Sequence, residues 1–173
     1  MKKINSDILI TLFLSLITIS TLTGVYYLNL NEEEIIKDNY LKSDICYYAL
    51  NGIKSDYHYH FQLNITINDE RIIIPENIGF EKNDQGETIF LHPIHTYDNS
   101  GRIHVETTKN ATAELKFFFQ IWDKKFTNTE LLDYTTDSKH KINMKINGEE
   151  TDTFEETILE PYIFIEIEYK ELN

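Results

Sequence analysis

The sequence runs to 173 residues, 41% hydrophobic and 13% aromatic, which is enough apolar material for one packed domain and too much for a disordered chain. Net charge is −13, and the only charges in the first 30 residues are Lys2, Lys3 and Asp7, so the remainder holds all of the negative excess. A surface that acidic repels phosphate backbones and excludes nucleic acid as a partner. The single cysteine, Cys46, excludes an intramolecular disulfide and leaves the fold to its core or to a metal.

From Ile8 to Leu28 the chain carries no charge. A helix over this stretch, at about 1.5 Å per residue, is about 31 Å long and matches a bilayer hydrocarbon core. Its Thr and Ser hydroxyls can bond the helix backbone, and Tyr26 and Tyr27 fall where an interfacial aromatic belt belongs. Lys2 and Lys3 precede the segment and Glu32, Glu33 and Glu34 follow it, so the positive-inside rule puts the N-terminus in the cytoplasm and the body outside. A cleaved signal peptide is the alternative. The apolar stretch is long for one, and Thr21-Leu22-Thr23 is a poor cleavage site. The expectation is a retained single-pass anchor over residues 1–30, a membrane contact through that helix, and an extracytoplasmic C-terminal domain in the cell membrane.

Asn31 followed by three glutamates reads as a helix start. A loose stripe of Ile35, Ile36, Leu41, Ile45 and Tyr48 runs on until Asn51-Gly52, giving a juxtamembrane helix or stalk over 31–55. The domain proper follows over 56–173. Its clearest strand is 57–67, where Tyr57, Tyr59, Phe61, Leu63, Ile65 and Ile67 alternate with His58, His60, Gln62, Asn64 and Thr66. Asn68-Asp69-Glu70 turns the chain into a second strand that Pro75 ends. Thr88–His92 and Arg102–Glu106 are two more strands. Leu115, Phe118, Phe119 and Trp122 then fall on one helical face, with Thr112 as its cap and Glu114 in its first turn. A short helical piece near Thr129–Tyr134, a strand over Lys141–Ile146, a tight turn at Asn147-Gly148 and a closing strand over Tyr162–Tyr169 complete the chain. The order predicts an α+β fold: a mixed or mostly antiparallel sheet with one helix packed on a face. A β-grasp-like arrangement fits it.

Five of the six histidines lie between His58 and His104. His58 and His60 project from the polar face of one strand, and His104 and Glu106 repeat that spacing on another. His92 and His95 bracket Pro93-Ile94, a spacing that lets two rings converge. Neutral imidazole is the commonest metal ligand, and three or four make a site for Zn²⁺, Cu²⁺ or Fe²⁺. The expected ligand set is His58, His60, His92 and His104, with His95, Glu106 and Asp98 as further ligands or in the shell behind them. The alternatives are a hydrogen-bonded structural or pH-responsive cluster, or separate solvated side chains. No standard catalytic signature is present, and Asp98-Asn99-Ser100-Gly101 reads as a turn beside His104 rather than as part of a triad. No catalytic residue is assigned, and a binding protein is favoured over an enzyme. Asn64-Ile65-Thr66 and Asn110-Ala111-Thr112 are compatible with glycosylation of an exported chain.

His58-Tyr59-His60, the run Leu91-His92-Pro93-Ile94-His95-Thr96-Tyr97-Asp98-Asn99-Ser100-Gly101-Arg102-Ile103-His104-Val105-Glu106, and Phe118-Phe119-Gln120-Ile121-Trp122 carry a resemblance. Over about residues 57 to 169 the chain resembles an uncharacterised family of membrane-anchored exported proteins from archaea and some bacteria. That family combines an H-x-H strand, an L-H-x-H-T-H-D-x-S-G-x-I-H-V-E segment, an F-F-x-I-W helix and a final strand pair. The resemblance marks His58, His60, His92, Asp98, Ser100, Gly101, His104 and Glu106 as motif positions. Tyr97 stands where the family has histidine, and His95 is offset from or additional to that pattern. The resemblance implies export and a histidine-rich site, and no reaction. Two functions follow: a membrane-tethered extracytoplasmic metal-binding protein, or a non-catalytic envelope protein whose acidic sheet meets an unidentified protein partner and whose histidines are structural.

Overall fold

The computed structural model describes Ser15 and residues 17–23, 57–107 and 111–172. The chain divides into two compact units, Met1–Asn39 and Tyr40–Asn173. In the first, residues 17–23 are helical, and the hydroxyls of Thr18, Thr21 and Thr23 donate to backbone carbonyls three or four residues back. Among the described residues no helix is long and apolar enough to cross a membrane. Most of the anchor expected over 1–30, the whole stalk expected over 31–55, Cys46 and Asn110 lie outside the described residues.

The second unit runs β1 (Tyr57–Ile67), β2 (Glu70–Ile72), β3 (Phe80–Lys82), β4 (Thr88–Leu91), β5 (Ile94–His95), β6 (Arg102–Thr107), α1 (Leu115–Ile121), β7 (Glu130–Leu131), β8 (Tyr134–Thr135), β9 (His140–Ile146), β10 (Glu149–Thr151), a 3₁₀ turn (Phe154–Glu156) and β11 (Phe164–Glu171). This is the expected α+β class. The main sheet has the order β10-β9-β11-β1-β6-β5, with β2 also on β1. One edge of β1 pairs antiparallel with β6 over Tyr57–Gln62 and with β2 over Ile65–Ile67; the other edge pairs parallel with β11 over Gln62–Ile67. The sheet is therefore mixed, with its first and last strands as parallel neighbours in the middle.

Alternation of side chains decides what each face does. Phe61, Leu63, Ile65 and Ile67 of β1 join Ile103 and Val105 of β6 and Ile165, Ile167 and Tyr169 of β11 in one buried cluster. Helix α1 buries Leu115, Phe117, Phe118 and Phe119 in the same cluster, and Trp122 packs on Phe118 and Phe119. Two tight hairpins, β1–β2 and β9–β10, have the turns their residues favour. Asn68 and Asp69 (φ 48° and 66°) and Asn147 and Gly148 (φ 54° and 87°) lie in the left-handed region, as a type I′ turn requires.

Three expectations need correction. The residue that caps α1 is Glu114, in extended backbone, rather than Thr112; Glu114 bridges Ile158 and the Leu115 N–H donates to the Thr157 carbonyl, so strand pairing sets where the helix begins. Residues 129–134 are not helical but form the β7–β8 hairpin. Thr127 Oγ1 accepts from the N–H groups of Thr129 and Glu130, holding a turn in a stretch too short to nucleate a helix. The strand expected at Thr88–His92 ends at Leu91 and pairs with β3 outside the main sheet, while a separate two-residue strand, β5, joins β6.

Candidate metal centre

The face of the sheet opposite the core gathers the histidines. In the antiparallel registers His60 lies opposite His104, His58 opposite Glu106, and His95 opposite His104. Opposed residues share a face, so β5, β6 and β1 lay His95, His104 and His60 side by side, with Glu106 and His58 in the next row. Period-two alternation within each strand does the rest: Ile94, Val105, Ile103 and Phe61 are buried on the core side of the same three strands.

The ring nitrogens and the carboxylate converge. His58 Nε2 lies 3.2 Å from His104 Nδ1 and 3.4 Å from Glu106 Oε1, and His95 Nε2 lies 3.7 Å from the same Glu106 oxygen. The ligand atoms of His58, His60 and His104 all fall within 4.8 Å of one another, as do those of His95, His104 and Glu106. Ligand atoms about 2.0–2.1 Å from a tetrahedral ion stand about 3.3 Å apart. The 3.2 Å between His58 Nε2 and His104 Nδ1 is of that size, and the 3.7 Å between His95 Nε2 and Glu106 Oε1 is close to it.

His95 is the innermost member, with 0% exposure. Its Nδ1–H donates to the His92 carbonyl at 2.9 Å, which leaves the lone pair on Nε2. Nε2 is buried and makes no hydrogen bond. It instead faces the Glu106 carboxylate, acceptor against acceptor. A ring nitrogen so placed destabilises the empty site and suits a cation between the two groups.

The surroundings keep it dry on one side. Phe80 and Tyr97 meet the His95 ring edge-on at 5.8 and 4.8 Å, and Tyr97 also meets His104 at 4.7 Å. Thr96 pins the segment above by donating to the Pro75 carbonyl and accepting from the Ile78 N–H. A Cβ on Gly79 (φ +83°) would come within 2.9 Å of both the His95 Cβ and the Ile94 carbonyl oxygen, so glycine is needed for this segment to pack against β5. Burial, reinforced by the neighbouring imidazoles, holds His95 and His104 at about 4 rather than 6.5. Burial and then His58 also lower His60. At neutral pH these rings are uncharged and carry the lone pairs that a metal needs.

Five of the seven expected site residues therefore meet: His58, His60, His95, His104 and Glu106. Two do not join either group. His92 and His95 fail to converge because Pro93 divides them between two pairings: the His92 N–H donates to Gly79, and its Nε2 lies 3.0 Å from Glu81 on β3. Burial lowers the pKa of His92 as well, against the opposing pull of Glu81. Asp98 is held in its turn, Oδ1 accepting from the Ser100 N–H at 2.9 Å; this bonding to Ser100 lowers its pKa. His140 stands apart on β9, bonded to Asp137 and stacked on Tyr169. The residues that sequence reasoning missed are Phe80, Gly79 and the part played by Tyr97. The sequence signal for the first two is a glycine, Gly79, directly before an aromatic residue, Phe80. In comparisons with protein-family models, curated proteins and solved structures, nothing matches the chain.

Proposed function

We propose that this protein binds one transition-metal ion between β1, β5 and β6, and that it handles or carries that ion rather than catalysing a reaction on it. The observation that carries this reading is the buried Nε2 of His95, fixed as a lone-pair donor and aimed at Glu106 with no hydrogen-bond partner. His95, His104 and Glu106 are the ligands that hold the ion, and His58 and His60 line the solvent side of the site. Nitrogen-rich donors with one carboxylate suit Zn²⁺, Cu²⁺ or Fe²⁺.

A metal-free structural cluster is the competing reading. The hydrogen bond between His58 and His104 speaks for it, but it leaves His95 Nε2 without a purpose. The wider proposal places the site outside the cytoplasmic membrane on a retained N-terminal anchor, in the exported family that the sequence resembles. The order β6-β1-β11-β9-β10, with α1 between β6 and β9, further supports a β-grasp-like scaffold.

The deciding experiment strips the full-length chain in detergent with a chelator and reconstitutes it with Zn²⁺, Cu²⁺ or anaerobic Fe²⁺. Metal content is then compared with that of a His58→Ala/His104→Ala double variant. About one ion per wild-type chain and far less in the variant is the expected result; a wild type that stays empty with all three ions sinks the reading.

A further inference from the structure

Resting on the metal-binding reading above, we infer that the two overlapping groups act in sequence: His58, His60 and His104 capture a divalent cation, and His95, His104 and Glu106 hold it. Both groups use His104. The first opens outward, with the His58 side chain 46% exposed; the second reaches inward to His95, which is fully buried.

The shared ring limits the site to one ion. Two dications sharing His104 would stand a few ångströms apart with Glu106 as the only carboxylate in either group, and their repulsion would exceed what that one charge offsets. A single ion gains more at the inner group. The outer group offers three imidazoles near solvent, whereas the inner group adds a carboxylate and a drier environment, in which charge attraction is stronger.

Access runs one way. Phe80 and Tyr97 meet the His95 ring and Gly79 packs against its Cβ, whereas Nε2 faces Glu106, and Glu106 in turn faces the half-exposed His58. His58 Nε2 stands between the groups, 3.2 Å from His104 Nδ1 and 3.4 Å from Glu106 Oε1. It can remain bound while the ion exchanges His60 for His95. His60 belongs to the outer group alone, which makes it the residue that separates capture from holding.

The test follows Zn²⁺ uptake and its release to a chromophoric chelator by stopped flow, using full-length wild type, His60→Gln and His95→Leu. Removing a residue that serves only the route slows uptake and release by the same factor, because their ratio is the affinity. Thus His60→Gln is expected to slow both by roughly tenfold with little change in Kd, whereas His95→Leu weakens Kd by roughly 100-fold, the range in which metal sites respond to loss of supporting or ligating groups. His60→Asn, read in the same way, guards against a folding defect particular to one variant. The inference is overturned if His60 variants lose as much affinity as His95→Leu, if both rates stay at wild-type values, or if two Zn²⁺ bind per chain. A wild type that takes up no metal overturns the binding reading itself.

Discussion

The Nδ1–H of His95 donates to the backbone carbonyl of His92, and this one bond decides which nitrogen of His95 faces Glu106. His92 thus serves the site through its main chain, while its side chain turns to Glu81.

Replacing the His92 ring should therefore matter little to metal. His92→Ala is expected to keep Zn²⁺ affinity within roughly threefold of wild type, against the 10–100-fold that loss of a supporting group costs a metal site. A competition titration against a chelator of known affinity reads this directly. A loss as large as that of His95→Leu would show that the ring itself takes part.

His95→Leu should separate stability from binding. The substitution removes a buried nitrogen without a partner but also removes the bond that His95 Nδ1–H makes to the His92 carbonyl, and these effects, each about 1–3 kcal/mol, oppose one another. Stability of the metal-free chain should change by about 1 kcal/mol or less. The stabilisation that wild type gains from Zn²⁺, about 2.7 kcal/mol at 100-fold excess over Kd, should fall to about 0.4 kcal/mol at the same concentration if Kd weakens 100-fold. Urea titrations can follow this through the single tryptophan, Trp122, which packs beside α1.

Acid should loosen the metal-free fold in a defined window. His95 and His104 titrate at about 4 in the folded chain and near 6.5 when unfolded. Between those values the unfolded chain binds protons that the folded chain does not, so stability rises with pH. It is complete above about pH 6.5 and falls as pH drops toward about 4. Urea midpoints measured in chelator near pH 7 and near pH 5 should differ in that sense for wild type, and less for His95→Leu. Equal midpoints in wild type would contradict the burial of these rings.

Gly101 fixes the start of β6, three residues before His104. At φ +84° a Cβ there would lie 2.5 Å from the Leu63 carbonyl oxygen and 2.8 Å from Gln62 Nε2. Gly101→Ala is expected to destabilise by about 2–4 kcal/mol: about 1–2 from the left-handed backbone and the rest from displacing β1. Gly86 has a similar φ, +81°, with nothing near its Cβ position, so Gly86→Ala should show the backbone cost alone. Paired urea titrations check the difference; equal losses would mean that β1 yields freely.

What was legible in the sequence was whatever local alternation decides. The facing of His58 and His60 against Tyr59 and Phe61, and of His104 against Ile103 and Val105, follows from period two and holds in the structure. The placement of His95 was less legible. Its strand is two residues long, and only pairing with β6 puts it opposite His104. The divergence of His92 depends on β4 leaving the main sheet for β3, which no spacing in the motif encodes. The helix start failed for a related reason: Thr112 has the right chemistry for a cap, but the bridge from Glu114 to Ile158 holds the chain extended past it.

The parallel pairing of β1 with β11 bears on how the domain reaches its final form. It joins the first strand of the described unit to the last, and so closes the longest loop in the sheet. The ligand-bearing strands β1, β5 and β6 are closer in sequence and meet antiparallel. Folding rate falls as pairing becomes less local, so assembly of the histidine face precedes closure of the sheet in the order of loop costs. An ion present during folding would therefore meet its ligands while one edge of β1 still awaited its last neighbour.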